Sequence, residues 1–429
     1  MENSLFSPFY SSSGICTDTR SIKKDSLFIC IKGENFDGNT FASKALENGA
    51  KHVVVDNADY FSDQTNMTLV DNSVQYLQNL ANYHRNKFDI PVIGITGSNG
   101  KTTSKELINA VLSKKYNVLA TEGNLNNHLG VPFTLLRLTE DHDIAIIEMG
   151  ANHFKDIEEL CLIAEPNYGI ITNIGKAHLE GFGSFEGVLK TKKELYESIE
   201  KNKGTIVVNG DDPILMGNLP QNIGAVSYGT NNEFTNGELI ALTPFVMMKW
   251  KNRDFESEVL ETKMVGSYNF YNYLAAATFG CLFDVPRKDI SDAIVSYQPN
   301  NKRSQVQKSE HNTLILDCYN ANPSSMKTAL ESFAMMAPEN KIFIIGDMRE
   351  LGNDSLEEHA KILELVKKLE IKGYTVGEEF GKIQSSNVLK HFTDSIQIKT
   401  FLEQNPVEDH LIILKGSRGI KLEILEEVL

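Results

Sequence analysis

Residues 94–103, GITGSNGKTT, are the part of this chain that most restricts its possible fold. The apolar run 91–95 is typical of a buried parallel strand, and the residues from Ser104 onward have the pattern of a helix. Between them, Gly97 and Gly100 let the backbone bend tightly enough to direct N–H groups at phosphate oxygens, and the helix N-terminus adds a positive dipole. The segment therefore predicts a phosphate-binding loop between a strand and a helix.

The loop has the residue types that hold nucleotide phosphates, at a shortened spacing. Lys101 would reach the β- and γ-phosphates, and the Thr102 hydroxyl group would hold Mg²⁺. The full motif requires a glycine where Ile95 stands, so this chain has GxxGKTT. The alternative is a glycine-rich turn that binds no ligand. The expected nucleotide-binding residues are Gly97, Ser98, Asn99, Gly100, Lys101, Thr102 and Thr103.

Length and charge restrict the class of protein. A chain of 429 residues is long enough for about three domains. It has 42 Lys and Arg residues against 57 Asp and Glu residues, a net charge of -15. This acidic balance argues against a nucleic-acid-binding protein, which usually has a basic surface, but it is compatible with a local cationic site for a small anion. We therefore expect no nucleic-acid partner. Separately, we expect the protein to be a monomer.

Cysteine spacing and hydropathy argue against several other classes. No CxxC or Cys–His spacing occurs, so neither a zinc site nor a disulfide framework is predicted. The N-terminal residues include no basic residue before Arg20 and no apolar core, unlike a signal peptide. There is also no apolar run of about 18 residues, the length that a transmembrane helix needs. We therefore expect a cytoplasmic protein without membrane insertion.

Strand and helix patterns divide the chain into three α/β units. Residues 1–90 form a small unit. Residues 91–300 alternate apolar strands with helices, which predicts a doubly wound, mostly parallel sheet with a short antiparallel addition. Residues 301–429 alternate again and predict a second open sheet of dinucleotide-binding, Rossmann-like topology, which ends with a helix after residue 416.

Two junctions separate the units. The first is the segment 89–91, and the second is the linker 297–303, which lacks apolar periodicity and suits a hinge. Because candidate site residues lie in all three units, we expect catalysis to need closure about these linkers.

Two strand ends in the central unit carry side chains suited to a metal or phosphate site. Glu148 follows an apolar run, where its carboxylate would face the crevice that binds ligands in open α/β sheets and could hold Mg²⁺. The alternative is a solvated loop carboxylate. His178 lies in the glycine-rich loop after the next strand, and its position is equally compatible with a ligand role and a structural role.

A lysine cluster lies on the helix predicted over 186–199. It consists of Lys190, Lys192 and Lys193. On sequence physics alone, a solvated helix face is the favoured interpretation of such a cluster.

Polar residues also crowd a strand end in the C-terminal unit. Asp317 ends an apolar strand, and Asn320 and Asn322 occupy the turn before Pro323, which suits a first helical turn. A structural cap explains part of this pattern, but it does not explain so many polar groups at one strand end.

Two further cationic positions suit an anionic ligand. Lys415 follows a strand and precedes a predicted helix N-terminus with Arg418, an arrangement that binds anions. Arg303, in the linker, could reach a nucleotide across the gap between two units.

The chain resembles the Mur ligases of peptidoglycan synthesis in seven segments: GSNGKTT, EMGA, NIGKAHLEGFGS, NFYNYLAAA, CYNANPSSM, GDMRELG and KGSRG. The resemblance covers nearly the whole chain, and segment 16–38 is similar to the part of the family that binds a UDP-sugar. Within the family, CYNANPSSM and GDMRELG resemble the member that adds D-alanyl-D-alanine to UDP-N-acetylmuramoyl-tripeptide. The nearest rival adds a single amino acid, lysine or diaminopimelate, but the chain has no DNPR-type segment typical of its diaminopimelate-binding form.

The resemblance implies a three-domain enzyme that catalyses an ATP-dependent amide ligation. Residues 1–90 would bind the UDP-sugar, residues 91–300 would bind ATP, and residues 301–429 would form the Rossmann-like domain. ATP would phosphorylate the terminal carboxylate of the tripeptide, and the amine of D-alanyl-D-alanine would displace phosphate from the acyl phosphate. Because this brings anions together, the site needs cations, with two Mg²⁺ ions expected.

The resemblance also implies the metal ligands and the catalytic residues. Thr102 and Glu148 match the ligands of the first Mg²⁺, and His178 matches a ligand of the second. Lys192 matches a lysine that the family carbamylates, which favours a ligand role over a solvated one, although its lysine neighbours leave the register open. The expected catalytic residues are Lys101, Glu148, His178, Lys192 and Asp317.

The remaining roles also follow from the resemblance. Asn269 and Asn272 match positions near the adenine, and Arg303 and Asp317 match ATP contacts. The residues expected at the dipeptide or the acyl phosphate are Asn320, Asn322, Lys415 and Arg418. The residues expected at the UDP-sugar are Asp18, Thr19, Arg20, Lys32 and Gly33.

Two other functions are weighed against the ligase. A P-loop phosphotransferase or NTPase would need the full phosphate-loop motif and a compact single domain, and this chain has neither. A non-catalytic nucleotide-binding protein is disfavoured because Lys101, Thr102, Glu148, His178 and Asp317 are all present.

Tyr268 stands where the family often has histidine, which leaves one nucleotide contact open.

Overall fold

A computed structural model describes residues 4–221, 223–231, 234–299, 302–336 and 340–429, in which three β-sheets follow one another along the chain. Asn300 and Asn301 of the predicted linker lie outside the described residues. The predicted α/β class with largely parallel sheets is confirmed. The domain limits 1–90, 91–300 and 301–429 stay predictions.

The first sheet is small and entirely parallel, with strand order β1-β2-β3-β4. Its strands are β1 (Ile15–Cys16), β2 (Leu27–Ile29), β3 (His52–Val55) and β4 (Met67–Leu69). The accompanying helices are α1 (Ser7–Tyr10), α2 (Ala42–Glu47) and α3 (Ser73–Arg85). Although α3 precedes the junction predicted at 89–91, its apolar face shares a core with residues of the central sheet.

The central sheet has ten strands in the order β13-β12-β11-β10-β9-β8-β5-β7-β6, with β14 paired to β12. Its parallel strands are β5 (Val92–Thr96), β6 (Val118–Ala120), β7 (Ile144–Glu148), β8 (Tyr168–Ile171), β9 (Thr205–Asn209) and β10 (Gly224–Gly229). The next strands are β11 (Thr235–Leu242), which pairs with β10 in parallel, then β12 (Phe245–Asn252), β13 (Phe255–Glu256) and β14 (Leu260–Val265), which pair antiparallel. The predicted antiparallel addition is thus present.

Helices cover both faces of the central sheet, because its buried strands alternate their apolar side chains between two cores. On β7, Ile144 and Ile146 belong to one core, and Ala145 and Ile147 belong to the other. The helices are α4 (Lys101–Leu112), α5 (Gly130–Leu135), α6 (Asp156–Ala164), α7 (Leu179–Phe182), α8 (Phe185–Lys201), α9 (Pro213–Met216), α10 (Tyr268–Leu282) and α11 (Arg287–Ser296). This arrangement is the doubly wound sheet expected from the sequence.

The third sheet has the strand order β15-β16-β20-β17-β18-β19 and is parallel except at β15. Its strands are β15 (Gln305–Lys308), β16 (Thr313–Asp317), β17 (Lys341–Gly346), β18 (Lys372–Val376), β19 (Val388–Phe392) and β20 (Leu411–Lys415). Its helices are α12 (Pro323–Met335), α13 (Ser355–Lys368), α14 (Glu378–Gly381) and α15 (Ser395–Gln404).

The prediction of a final helix after residue 416 is wrong. The chain instead forms two 3₁₀ segments, Arg418–Ile420 and Leu422–Glu427, separated by Lys421. Lys421 has φ of 59°, in the left-handed region, so the backbone cannot continue as one α-helix through it.

The cysteines and the lengths of the helices complete the description of the fold. All five cysteines are free and buried, where their side chains pack as small apolar groups. In the ranges given above, no helix is long and apolar enough to cross a membrane.

Candidate active site

The phosphate-binding loop lies where predicted, between β5 and α4. Gly97 has φ of 146°, and a Cβ atom there would be 2.0 Å from Oγ1 of Thr172, just after β8. Gly100 has φ of 80° and adjoins the side chain of Asn272. Position 97 therefore needs glycine because a side chain would collide with Thr172, and position 100 favours glycine because its positive φ strains any other residue.

Lys101 begins α4 and folds over this loop. Its Nζ donates hydrogen bonds to the carbonyl oxygens of Gly97 at 2.6 Å and Ser98 at 3.4 Å. Burial lowers the pKa of Lys101 to about 8; nearby Glu148 opposes this shift, and Arg303 adds to it. A half-buried ammonium group at the loop favours an anionic ligand, which would stabilise its charged form.

Glu148, at the end of β7, is 1% exposed, so the solvated-loop alternative is wrong. Its Oε1 accepts hydrogen bonds from Oγ1 of Thr102 at 3.1 Å and from Nδ2 of Asn126 at 2.8 Å. Its Oε2 is buried and has no hydrogen-bond donor among the described residues. Nζ of Lys105 lies 3.8 Å from Oε2.

This donor set fits a divalent cation that is also bound to a nucleotide. Glu148 Oε2 is a buried carboxylate oxygen without a donor among the described residues, and the Thr102 hydroxyl group is bonded to the other oxygen, Oε1, of the same carboxylate. Within the described ranges, no three His, Cys, Asp or Glu side chains form a metal cluster. Mg²⁺ is a cation of this kind, since it takes one or two protein oxygens and completes its shell with phosphate and water.

His178 contacts the C-terminal domain. Its backbone is left-handed, with φ of 53°, and its Nδ1 lies 2.5 Å from Oε2 of Glu350, in the loop after β17. The hydrogen bond from His178 lowers the pKa of Glu350. His178 lines the large cavity described below, and in this arrangement its Nδ1 is engaged by a carboxylate.

Lys192 is more deeply buried than the two other lysines of α8. Lys192 is 1% exposed, whereas Lys190 is exposed and Lys193 is half-buried. Burial, with a smaller effect from Lys101, lowers the pKa of Lys192 well below its ordinary value. A depressed pKa makes the neutral amine accessible, which is the form that reacts with carbon dioxide. The solvated-face interpretation is therefore wrong for Lys192.

A buried ion pair lies at the predicted strand ends of the third sheet. Nζ of Lys415 is 2.6 Å from Oδ2 of Asp317, and the side chains are 2% and 15% exposed. The same ammonium group is 3.4 Å from the carbonyl oxygen of Asn320. Asn322 caps α12 and also donates to Oδ1 of Asn99 in the phosphate loop at 2.8 Å.

Two arginines flank Tyr319, which follows Asp317 by two residues. The guanidinium group of Arg303 lies 3.9 Å from the ring centroid of Tyr319, and that of Arg418 lies 5.5 Å from it. Arg418 lies in a 3₁₀ segment rather than at the helix N-terminus that the sequence predicted, so the helix dipole does not contribute there.

Asn269 and Asn272 lie on α10, beside the phosphate-loop helix. Asn272 donates to Oδ1 of Asn269 at 2.8 Å and accepts from the hydroxyl group of Ser104 at 3.0 Å. Asn269 in turn donates to the carbonyl oxygen of Val265. These bonds tie α10 to α4 beneath the loop.

A cavity of about 1110 Å³ joins these groups between the central and third sheets. The predicted residues that line it are Ser98, Asn99, Gly100, Lys101, Thr102, Thr103, Glu148, His178, Asn269, Asn272, Arg303, Asp317, Asn320 and Lys415. Gly97, Lys192 and Asn322 lie outside its lining, and Arg418 lines a smaller adjacent cavity of about 450 Å³. Most of the site residues predicted from the sequence therefore line one cavity.

Family sequence profiles match three consecutive parts of the chain: the Mur ligase family catalytic domain at residues 11–93, the Mur ligase middle domain at 95–280, and the Mur ligase glutamate ligase domain at 302–418. The UDP-N-acetylmuramoyl-tripeptide–D-alanyl-D-alanine ligase of Bacillus subtilis (strain 168) is 32% identical over 424 residues, covering 96% of this chain and 91% of that protein. The chain belongs to the Mur ligase family. The enzyme of the same name from Escherichia coli (strain K12) is 33% identical, covering 95% and 92%.

Solved structures of Mur ligases share the whole fold. The crystal structure of MurF from Acinetobacter baumannii has a TM-score of 0.89 at 27% identity and covers 99% of this chain and 98% of that one. MurF ligase from Thermotoga maritima, solved in complex with ADP, has a TM-score of 0.88 at 26% identity with the same coverage.

The residues predicted at the UDP-sugar lie apart from the large cavity of this Mur ligase. Asp18, Thr19, Arg20, Lys32 and Gly33 do not line it. Asp18 and Arg20 form an exposed ion pair of 2.6 Å, and the hydrogen bond from Arg20 lowers the pKa of Asp18 to about 2. The arginine is thus engaged by its own loop.

Sequence reasoning missed Asn126 and Lys105, the two further side chains beside Glu148. Asn126 lies in the loop after β6, which pairs with β7, and only the sheet brings that loop to Glu148. Lys105 follows Lys101 by one helical turn, so its spacing could have placed it on the same helix face.

Proposed function

We propose that this Mur ligase joins D-alanyl-D-alanine to UDP-N-acetylmuramoyl-tripeptide with cleavage of ATP to ADP and phosphate. The observation that carries the proposal is the large cavity, in which the phosphate loop and Glu148 of the central sheet face Asp317 and Lys415 of the third sheet. Near full-length similarity to enzymes of that name supports the choice of substrates.

The reaction has two covalent steps. A carboxylate oxygen of the tripeptide attacks the γ-phosphorus of ATP, and ADP leaves with the electron pair of the broken P–O bond. The amine of D-alanyl-D-alanine then attacks the acyl carbon, loses a proton, and phosphate leaves. Both steps develop negative charge on phosphate oxygens, which Lys101 and the loop N–H groups would stabilise.

Bound Mg²⁺ would supply further neutralisation of phosphate charge. We assign Thr102 and Glu148 to a first ion, on the strength of the unpartnered Oε2. For a second ion we assign His178 and a carbamylated Lys192, supported by the burial of Lys192 and its depressed pKa.

The remaining predicted residues keep their proposed roles. Residues 1–90 would bind the UDP-sugar through Asp18, Thr19, Arg20, Lys32 and Gly33. In the domain 91–300, Asn269 and Asn272 would lie near the adenine. In the domain 301–429, Arg303 and Asp317 would contact ATP, and Asn320, Asn322, Lys415 and Arg418 would face the dipeptide or the acyl phosphate.

We propose that the protein acts as a monomer in the cytoplasm. The phosphate loop, Glu148, Asp317 and Lys415 of a single chain all line the large cavity, so a second copy is not needed to complete it. The reaction needs ATP and a nucleotide-linked precursor, and the cytoplasm is the compartment that supplies ATP.

Product mass tests the proposal. The chain is incubated with ATP, Mg²⁺, UDP-N-acetylmuramoyl-tripeptide and D-alanyl-D-alanine, and each component is left out in turn. The pentapeptide product should form only in the complete mixture, and Lys101→Ala should abolish it in a folded protein. Addition of a free amino acid to a shorter precursor would instead identify a sister ligase, and ATP hydrolysis without an amine would identify an NTPase.

A further inference from the structure

The two carboxylate oxygens of Glu148 have different surroundings. Oε1 accepts two hydrogen bonds, from Thr102 and Asn126, whereas Oε2 is buried without a donor among the described residues. A buried acceptor without a donor is costly, so the arrangement needs an explanation.

Asn126 is itself held in place at the end of β7. Its carbonyl oxygen accepts a hydrogen bond from the backbone N–H of Gly150 at 2.8 Å. Its side chain packs on the same glycine, where a Cβ atom would lie 2.9 Å from Oδ1 of Asn126. The amide that donates to Glu148 at 2.8 Å is therefore anchored at both its backbone and its side chain.

Lys105 balances the charge of Glu148 without binding Oε2 directly. Lys105 is 3% exposed, and its Nζ lies 3.8 Å from Oε2, beyond hydrogen-bond distance. The ammonium group therefore stabilises the buried negative charge, while the lone pairs of Oε2 stay available.

We propose that Asn126 is a positioning residue that fixes the rotation of the Glu148 carboxylate, so that Oε2 alone is directed at a divalent cation. The inference rests on the proposed function, since that cation belongs to the ATP site. Hydrogen bonds to a ligating carboxylate orient it, and their loss typically weakens metal binding about 10–100-fold.

Binding of Mn²⁺ with ADP to the purified chain tests this role, with free Mn²⁺ measured by electron paramagnetic resonance. Asn126→Leu, which removes the donor but keeps the size, should raise the Mn²⁺ dissociation constant about 10-fold or more. In a Glu148→Gln background the same substitution should change it by less than about twofold, because Asn126 acts through the carboxylate. If Asn126→Leu does not fold, Asn126→Ala removes the donor without apolar bulk.

Asn117→Leu is the matched control. Asn117 precedes β6, and its amide donates to the carbonyl oxygen of Asp141 at the opposite end of that strand. This variant should keep the dissociation constant of the unmodified chain.

Three outcomes would overturn the inference: an unchanged dissociation constant in folded Asn126→Leu, an equal loss in the Glu148→Gln background, or no Mn²⁺ binding with ADP by the unmodified chain. Failure of the proposed function looks different. In that case the unmodified chain binds Mn²⁺ with ADP, Asn126→Leu weakens it, and the product-mass assay yields no pentapeptide.

Discussion

Removing the ammonium group of Lys415 should destabilise the third sheet strongly. Its Nζ lies 2.6 Å from Oδ2 of Asp317, and the two side chains are 2% and 15% exposed. Lys415→Met would leave the Asp317 carboxylate without its counter-cation. Breaking a buried pair costs about 3–5 kcal/mol, and the partial exposure of Asp317 places the expected loss near the lower limit, about 3 kcal/mol.

Differential scanning calorimetry and amide hydrogen exchange measure this loss. A loss of about 3 kcal/mol corresponds to a fall of roughly 10 °C in the unfolding temperature of a domain of this size. Exchange should accelerate in β16 and β20, which end in Asp317 and Lys415 and pair in parallel. Lys372→Met, at an exposed position on β18 of the same sheet, is the control and should change neither measurement.

The double variant Asp317→Asn/Lys415→Met separates the ion pair from simple packing. Without an uncompensated charge, it should recover most of the stability that Lys415→Met loses. A double variant no more stable than the single one would refute the reasoning, as would unchanged exchange in Lys415→Met.

Three further predictions address the phosphate loop, the buried lysine and acid stability. Gly97→Ala should abolish ADP binding measured by calorimetry, because its Cβ atom would lie 2.0 Å from Oγ1 of Thr172. Gly14→Ala is the control and should bind ADP normally, because Gly14 also has a positive φ but lies in open space. Binding of ADP by Gly97→Ala would contradict the steric argument. Isotope-labelled bicarbonate should give a carbamate signal that Lys192→Met removes, and a signal that survives this substitution would exclude Lys192 as its source. Burial lowers the pKa of His84, so protons bind the unfolded chain preferentially and stability should fall as pH drops from about 7 to 5. His84→Gln should flatten that decline in urea unfolding, and an equal slope in both proteins would assign the acid sensitivity elsewhere.

The parallel strands were predictable because each is an uninterrupted apolar run with polar residues at its end. The apolar run 91–95 became β5 at Val92–Thr96, and Glu148 was correctly placed at the end of β7. The C-terminal segment was not predictable in the same way, because one left-handed residue, Lys421, ends the helical pattern and nothing in its type requires that conformation.

The site was predictable where one segment carries both the fold signal and the chemistry. Lys101 and Thr102 lie in the motif that also specifies the turn. Asn126 was missed because its contact with Glu148 depends on the pairing of β6 with β7, which the local sequence does not encode. The sequence alone could not show which lysine of α8 is buried, because the burial of Lys192 depends on how the helix packs.

The hydrogen bond from Asn322 to Asn99 makes the phosphate loop a part of the contact between two domains. A ligand that rearranges Asn99 must also change the free energy of that contact, so nucleotide binding and domain position form a linked equilibrium. Linkage is reciprocal: whatever factor the docked C-terminal domain applies to nucleotide affinity, the nucleotide applies to docking. Weakening the contact between Asn322 and Asn99 would therefore alter how tightly the nucleotide is held.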